Sequence, residues 1–128
     1  MLDASAVIEW LTQTSAGQII ENRIYRNRES LHAPHLLDLE VVQVLRRLAR
    51  VGTISDQRAE TAMQDLLKLQ IFRYPHFVLL RRIWQYRHNL SAYDAAYVAL
   101  AERLDAVLIT RDRKLAAGLV YHAKIEVF

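Results

Sequence analysis

Short apolar runs alternate with helical stretches along this chain of 128 residues, with hardly a hairpin signal between them. Leu31–Ala33, Ile71–Tyr74, Ala106–Thr110 and Lys124–Phe128 read as strands, and Met1–Leu2 as a very short first one. Strands joined through helices instead of tight turns must run parallel, because a parallel pair needs a long crossover. The expected fold is therefore a single α/β domain over residues 1–128. It has three α/β/α layers around a short, mostly parallel central sheet of about five strands, with seven helices.

The helical stretches carry their own signals. From Pro34 to about Arg50, Leu37, Val41, Val44, Leu45 and Leu48 recur every three or four residues, the spacing of a core-facing stripe. Pro34 suits the first turn of that helix, where its missing N–H costs nothing. His76–His88 reads as one helix with Phe77, Leu80, Ile83 and Trp84 inward, and Trp10 reads as core. In Leu90–Leu115 a capped helix, a turn, a buried strand and a new helix start follow one another, and the segment includes Asp94 and Asp112.

Composition removes several kinds of chemistry. With no Cys, disulfides, zinc thiolates and thiol nucleophiles are excluded, and a reducing, cytoplasmic setting is expected. Acids at Asp3 and Glu9 and the lack of a basic leader argue against a signal peptide, and no apolar run is long enough to span a bilayer. The five histidines show neither HxH nor HExxH spacing. A net charge of +3 suits a polyanionic partner without identifying one.

The acids say more. Ligands of open parallel sheets bind beyond the carboxyl ends of the strands. Asp3 follows the first strand and Asp112 follows Ala106–Thr110, with hydroxyls at Ser5 and Thr110 nearby. Glu40 lies on the flank of the Leu37–Val41 stripe, where a carboxylate needs a partner or a cleft. Asp38 points nearly the opposite way and suits the positive start of the helix. Each acid alone has a structural explanation: Ser91 and Asp94 fit a capping box, and Asp3 and Asp112 could each cap a helix. Together they make a different demand. Two carboxylates about 4 Å apart repel by roughly 4 kcal/mol at an effective dielectric of about 20. A cluster therefore needs a cation or raised pKa values. Hard oxygen ligands favour Mg²⁺ or Mn²⁺, which suits metal-dependent cleavage of a phosphodiester.

The segments LDASAVI around Asp3, APHLLDLEVVQVL around Glu40, and LSAYDAAYVALAERLDAVLITRD with the following RKL arrive in a familiar order. In them the chain resembles the PIN-domain family, particularly the VapC-type toxins of prokaryotic toxin–antitoxin pairs. The resemblance implies that Asp3, Glu40, Asp94 and Asp112 form an acidic pocket, and that Ser5 and Thr110 are supporting hydroxyls. It also implies a Mg²⁺- or Mn²⁺-dependent endoribonuclease, a homodimer, neutralised by a cognate antitoxin whose tail fills the pocket. Only Met1 and Leu2 precede Asp3, where the family has a few more strand residues, so the first strand is expected at its minimum length.

Four acids repel RNA, so a basic rim is expected from Arg46, Arg47, Arg50, Arg111, Arg113 and Lys114. Tyr93 and Tyr97 are candidates for stacking on a base, with Tyr97 also reading as core. Two further readings keep the fold: a nuclease acting on DNA, and a catalytically silent nucleic-acid-binding module. A phosphorelay receiver would need paired acids at the first strand and an Asp after a middle one. Here Asp3 stands alone and Ile71–Tyr74 ends in Pro75.

Overall fold

The computed structural model describes residues 1–118 and 122–128. Helix α1 (Ala4–Leu11) starts at Asp3, whose side chain accepts from the Ala6 amide. Helix α2 (Ser15–Asn27) starts at Thr14, which accepts from Gly17. The two helices approach backbone to backbone: a Cβ on Gly17 would stand 2.0 Å from the Glu9 carbonyl oxygen. Strand β1 (Leu31–Pro34) leads into α3 (Leu36–Arg50), then α4 (Asp56–Lys68) and β2 (Ile71–Tyr74). A 3-10 turn (Phe77–Leu79) precedes α5 (Leu80–Gln85). Helix α6 (Ala92–Leu104), β3 (Leu108–Thr110), α7 (Arg113–Ala116) and β4 (Ile125–Val127) complete the chain.

Strand β1 pairs in parallel with β2 from Leu31↔Ile71 to Pro34↔Tyr74, and β3 pairs in parallel with β4 from Leu108↔Ile125 to Thr110↔Val127. The opening residues join the two pairs. Leu2 N–H donates to the His32 carbonyl at 3.1 Å, Ile109 N–H donates to Met1 at 2.8 Å, and Asp3 N–H donates to Ile109 at 3.2 Å. The lateral order is thus β2, β1, Met1–Leu2, β3, β4. From the centre the chain winds outward through β1 to β2, then returns to the other side for β3 and β4. The reversal lies between Met1–Leu2 and β3, the place where such sheets bind ligands.

Four strands form among the described residues where about five were expected. The difference is Met1–Leu2, which makes a single bridge to Ile109 instead of a ladder. Pro34 closes β1 instead of opening α3. Without a local side-chain cap, α3 receives its first acceptor from afar, as His76 Nε2 takes the Leu36 N–H at 3.0 Å. Asp38 pairs through both oxygens with Arg73 of β2, at 2.7 and 2.9 Å.

The core centres on Leu2, Val7, Leu37, Leu100, Leu108 and Ile109, all nearly or fully buried. In α6, Ala95–Ala101 are buried without a break, because small residues on several faces let the helix pack against both β1 and β3. Trp10 is buried as expected, but Phe77 and Trp84 are 82% and 67% exposed. The break between the 3-10 turn and α5 shifts the inward stripe to Leu79, Ile83 and Tyr86, leaving Phe77, Leu80 and Trp84 facing out.

Candidate active site

Asp3 is the best-held acid of the chain. It is 7% exposed, and its two carboxylate oxygens have different partners. Oδ1 accepts from Ser5 Oγ at 2.7 Å and from the Ala6 amide at 2.9 Å. Oδ2 accepts from the fully buried Thr110 hydroxyl. The same two hydroxyls reach the next loop: Ser5 Oγ accepts from Arg111 N–H at 2.8 Å, and Thr110 Oγ1 from Asp112 N–H at 2.9 Å. Asp3 and Asp112 are therefore tied into one unit at the ends of neighbouring strands. Asp112 also caps α7 by accepting from the Lys114 amide at 2.8 Å.

Glu40 is half-buried on α3, and its Oε2 accepts from Tyr97 Oη at 2.6 Å. Asp94 sits in the first turn of α6, its amide donating to the capping Ser91 hydroxyl at 3.1 Å. Capping at this helix is done by Ser91, and among the described residues the Asp94 carboxylate enters no ion pair.

Electrostatics connect the four acids in a chain. Burial pushes the Asp3 carboxyl above the usual carboxylate range and Asp112 adds to the rise, while the bonds from Thr110, Ala6 and Ser5 oppose it. Burial also raises Glu40, with Asp94 and Asp3 adding to it and the Tyr97 bond opposing. Among the described residues none of the four pairs with a Lys, Arg or His. By contrast Glu9, Asp38, Glu102 and Glu126 each have an arginine partner. An all-oxygen set lacking cationic partners has the donor chemistry of a Mg²⁺ or Mn²⁺ site. The set is open: among the described residues no three Asp, Glu or His side chains already close around one point. Water between carboxylate and ion is the ordinary way such a set is completed.

The expected basic rim divides. Arg46, Arg47 and Arg50 are exposed on α3 and enter no ion pair among the described residues. Arg47 lies two turns beyond Glu40 on the same helix face, about 10 Å along the axis. Arg113 and Lys114 are exposed beside Asp112. Arg111 is different, pairing with Glu9 at 3.4 Å and donating to the Phe128 carbonyl. Tyr93 is 66% exposed next to Asp94, whereas Tyr97 is 3% exposed. The bond from Tyr97 to Glu40 is what reading the residues one by one missed. Its signal was the three-residue spacing from Asp94, which puts both on one side of α6.

Comparison with known proteins agrees with this geometry. A family model described as "PIN domain" matches residues 1–118. VapC ribonuclease Mb0985 of Mycobacterium bovis is 43% identical over 117 residues, covering 91% of this chain and 87% of that protein. Ribonuclease VapC1 of Mycobacterium tuberculosis is 43% identical over 119 residues, covering 92% and 89%. Ribonuclease VapC12 of the same species is 36% identical over 127 residues, covering 99% and 97%. Among solved structures, PAE2754 from Pyrobaculum aerophilum superposes with a TM-score of 0.70 at 27% identity, over 98% of this chain and 81% of that one. Asp3 and Asp112 at the strand-order reversal, a family model spanning nearly the whole chain and relatives of matching length lead to one conclusion: the chain belongs to the PIN-domain family.

Proposed function

We propose that this chain is a metal-dependent endoribonuclease that cleaves RNA phosphodiester bonds, the toxin of a toxin–antitoxin pair. The carrying observation is the set of four acids, Asp3, Glu40, Asp94 and Asp112, acting on one another with, among the described residues, no cationic side chain paired to any. Ribonuclease relatives that match most of the chain favour RNA over DNA as substrate.

Asp3, Asp94 and Asp112 would hold Mg²⁺ or Mn²⁺, directly or through water, with Glu40 completing the set. When bound, such an ion offsets phosphate charge and lowers the pKa of a water that attacks in line. The chain's own residues hold and orient. Ser5, Thr110 and the Ala6 amide hold Asp3 in one rotamer and leave one acceptor position on Oδ2. In place of completing that set, Glu40 would orient the attacking water, a role open to a half-buried carboxylate held by Tyr97. Arg46, Arg47, Arg50, Arg113 and Lys114 hold the RNA backbone, with Arg111 a weaker contributor because Glu9 already occupies it.

Two partners complete the reading. A cognate antitoxin covers the acidic pocket, and a second copy of the chain covers the apolar face of Phe77, Leu80 and Trp84. No helix among the described residues is long and apolar enough to cross a membrane. With no Cys in the chain, we place its action in the cytoplasm.

The decisive experiment replaces Asp94 with Asn and follows cleavage of single-stranded RNA, with a DNA oligonucleotide of the same sequence alongside. Activity should fall about 100-fold or more with the circular dichroism spectrum unchanged, and chelator should abolish wild-type cleavage. Cleavage of RNA at the wild-type rate by Asp94→Asn would remove the acidic pocket from the mechanism.

A further inference from the structure

One polar group near the acids has no part in that scheme: the phenol of Tyr97. A phenylalanine would fill the same volume in α6 without bringing a hydroxyl that needs partners. The hydroxyl has them. It donates to Glu40 Oε2 at 2.6 Å, and the backbone N–H of Ala4 acts on the Tyr97 hydroxyl oxygen. Asp94 lies one turn before Tyr97 on α6, Glu40 is on α3, and Ala4 directly follows Asp3 at the start of α1. A single hydroxyl thus links the three elements that carry these acids.

The contact also decides how Glu40 stands. Glutamate has three side-chain torsions, and ordering them costs up to about 2 kcal/mol. Tyr97, 3% exposed in the most buried helix of the molecule, cannot move to follow it. Among the described residues it is the hydrogen-bond partner of Glu40. With Oε2 engaged by Tyr97, Oε1 is the Glu40 oxygen left for a further partner, and Asp94 and Asp3 are the acids whose charge Glu40 feels.

We propose that Tyr97 is a positioning residue for RNA cleavage, holding Glu40 Oε2 so that Oε1 faces the cation pocket shared with Asp3 and Asp94. The inference rests on the carboxylate-pocket reading above.

The full chain and its Tyr97→Phe, Glu40→Gln, double and Asp94→Asn variants test it, through Mn²⁺ affinity by calorimetry and cleavage of a single-stranded RNA at saturating Mn²⁺. Tyr97→Phe should bind Mn²⁺ about 10-fold more weakly and lose about 10-fold in kcat, with KM for RNA unchanged. Added to Glu40→Gln it should cost less than about twofold more, because its target is already gone. A loss of equal size in both backgrounds would mean a merely structural role and overturn the proposal. If Tyr97→Phe does not fold, 3-fluorotyrosine at position 97 replaces it. Its ¹⁹F signal should shift on Mg²⁺ saturation in the Glu40 protein and stay still in Glu40→Gln; a signal unmoved by Mg²⁺ in both overturns the proposal. Should Asp94→Asn and Glu40→Gln both cleave normally, the pocket reading fails and takes this inference with it. Should they lose cleavage while Tyr97→Phe keeps wild-type affinity and kcat, only the role of Tyr97 fails.

Discussion

Asp3 and Glu40 illustrate how a residue's surroundings set its cost. Both carboxyls are raised first by burial and then by neighbouring acids, against hydrogen bonds that pull the other way. An acid whose folded pKa exceeds its unfolded one favours folding fully below the unfolded pKa, and that contribution is lost as pH rises through the folded value. Glu40→Gln removes this liability. In chelator the variant should melt above wild type at about pH 7.5, with the gap closing as pH falls toward about 4, the unfolded Glu range. Saturating Mg²⁺ should raise the wild-type melting temperature more than that of the variant. A melting-temperature series in pH, with and without the ion, reads both effects. A gap that widens on acidification would contradict the burial of this carboxylate.

At the level of elements, what places the site is how closely backbones meet. Helix α1 carries Asp3 at its start and Glu9 near its end, and α2 packs against it at Gly17. A methyl group there would stand 2.0 Å from the Glu9 carbonyl oxygen and 2.9 Å from the Trp10 Cα, both of them backbone atoms that cannot swing aside. Gly17→Ala should therefore cost on the order of 3 kcal/mol, despite the better helix propensity of alanine. Chemical denaturation measures this directly, and a stability within 0.5 kcal/mol of wild type would refute the close approach (a limit of about that size is ordinary scatter for surface changes). The end of α1 also reaches the loop after β3, since Glu9 holds Arg111. Displacing α1 should thus disturb the Asp3 and Asp112 ends of the site together.

Across the whole molecule, apolar surface left uncovered indicates what a single chain does not complete. Phe77, Leu80 and Trp84 follow one another at spacings of three and four residues, on the side of the 3-10 turn and α5 turned away from Leu79 and Ile83. Three large apolar side chains more than half exposed on one stripe are unusual for a monomer and suit a self-complementary contact between copies. Trp84→Glu should convert a dimer into a monomer in sedimentation equilibrium at micromolar concentration, while leaving far-ultraviolet circular dichroism unchanged. A wild-type chain that is monomeric throughout that range would assign this face to another partner.

Sequence alone determined the α/β class, the parallel strands and the positions of most helices, because those follow from local periodicity, caps and the lack of hairpin turns. It also singled out Asp3, Glu40, Asp94 and Asp112, since acids next to strand ends and buried stripes stand out against an apolar pattern. Other features depended on long-range contacts. That Met1–Leu2 needs only one bridge to hold the centre of the sheet depends on His32 and Ile109, both far along the chain. The outward turn of Phe77 and Trp84 came from a helix that breaks into a 3-10 turn, which shifts the inward face without changing the hydrophobic spacing. The bond between Tyr97 and Glu40 joins residues 57 positions apart. Periodicity can say that a tyrosine faces inward, but only the tertiary structure decides which carboxylate its hydroxyl meets.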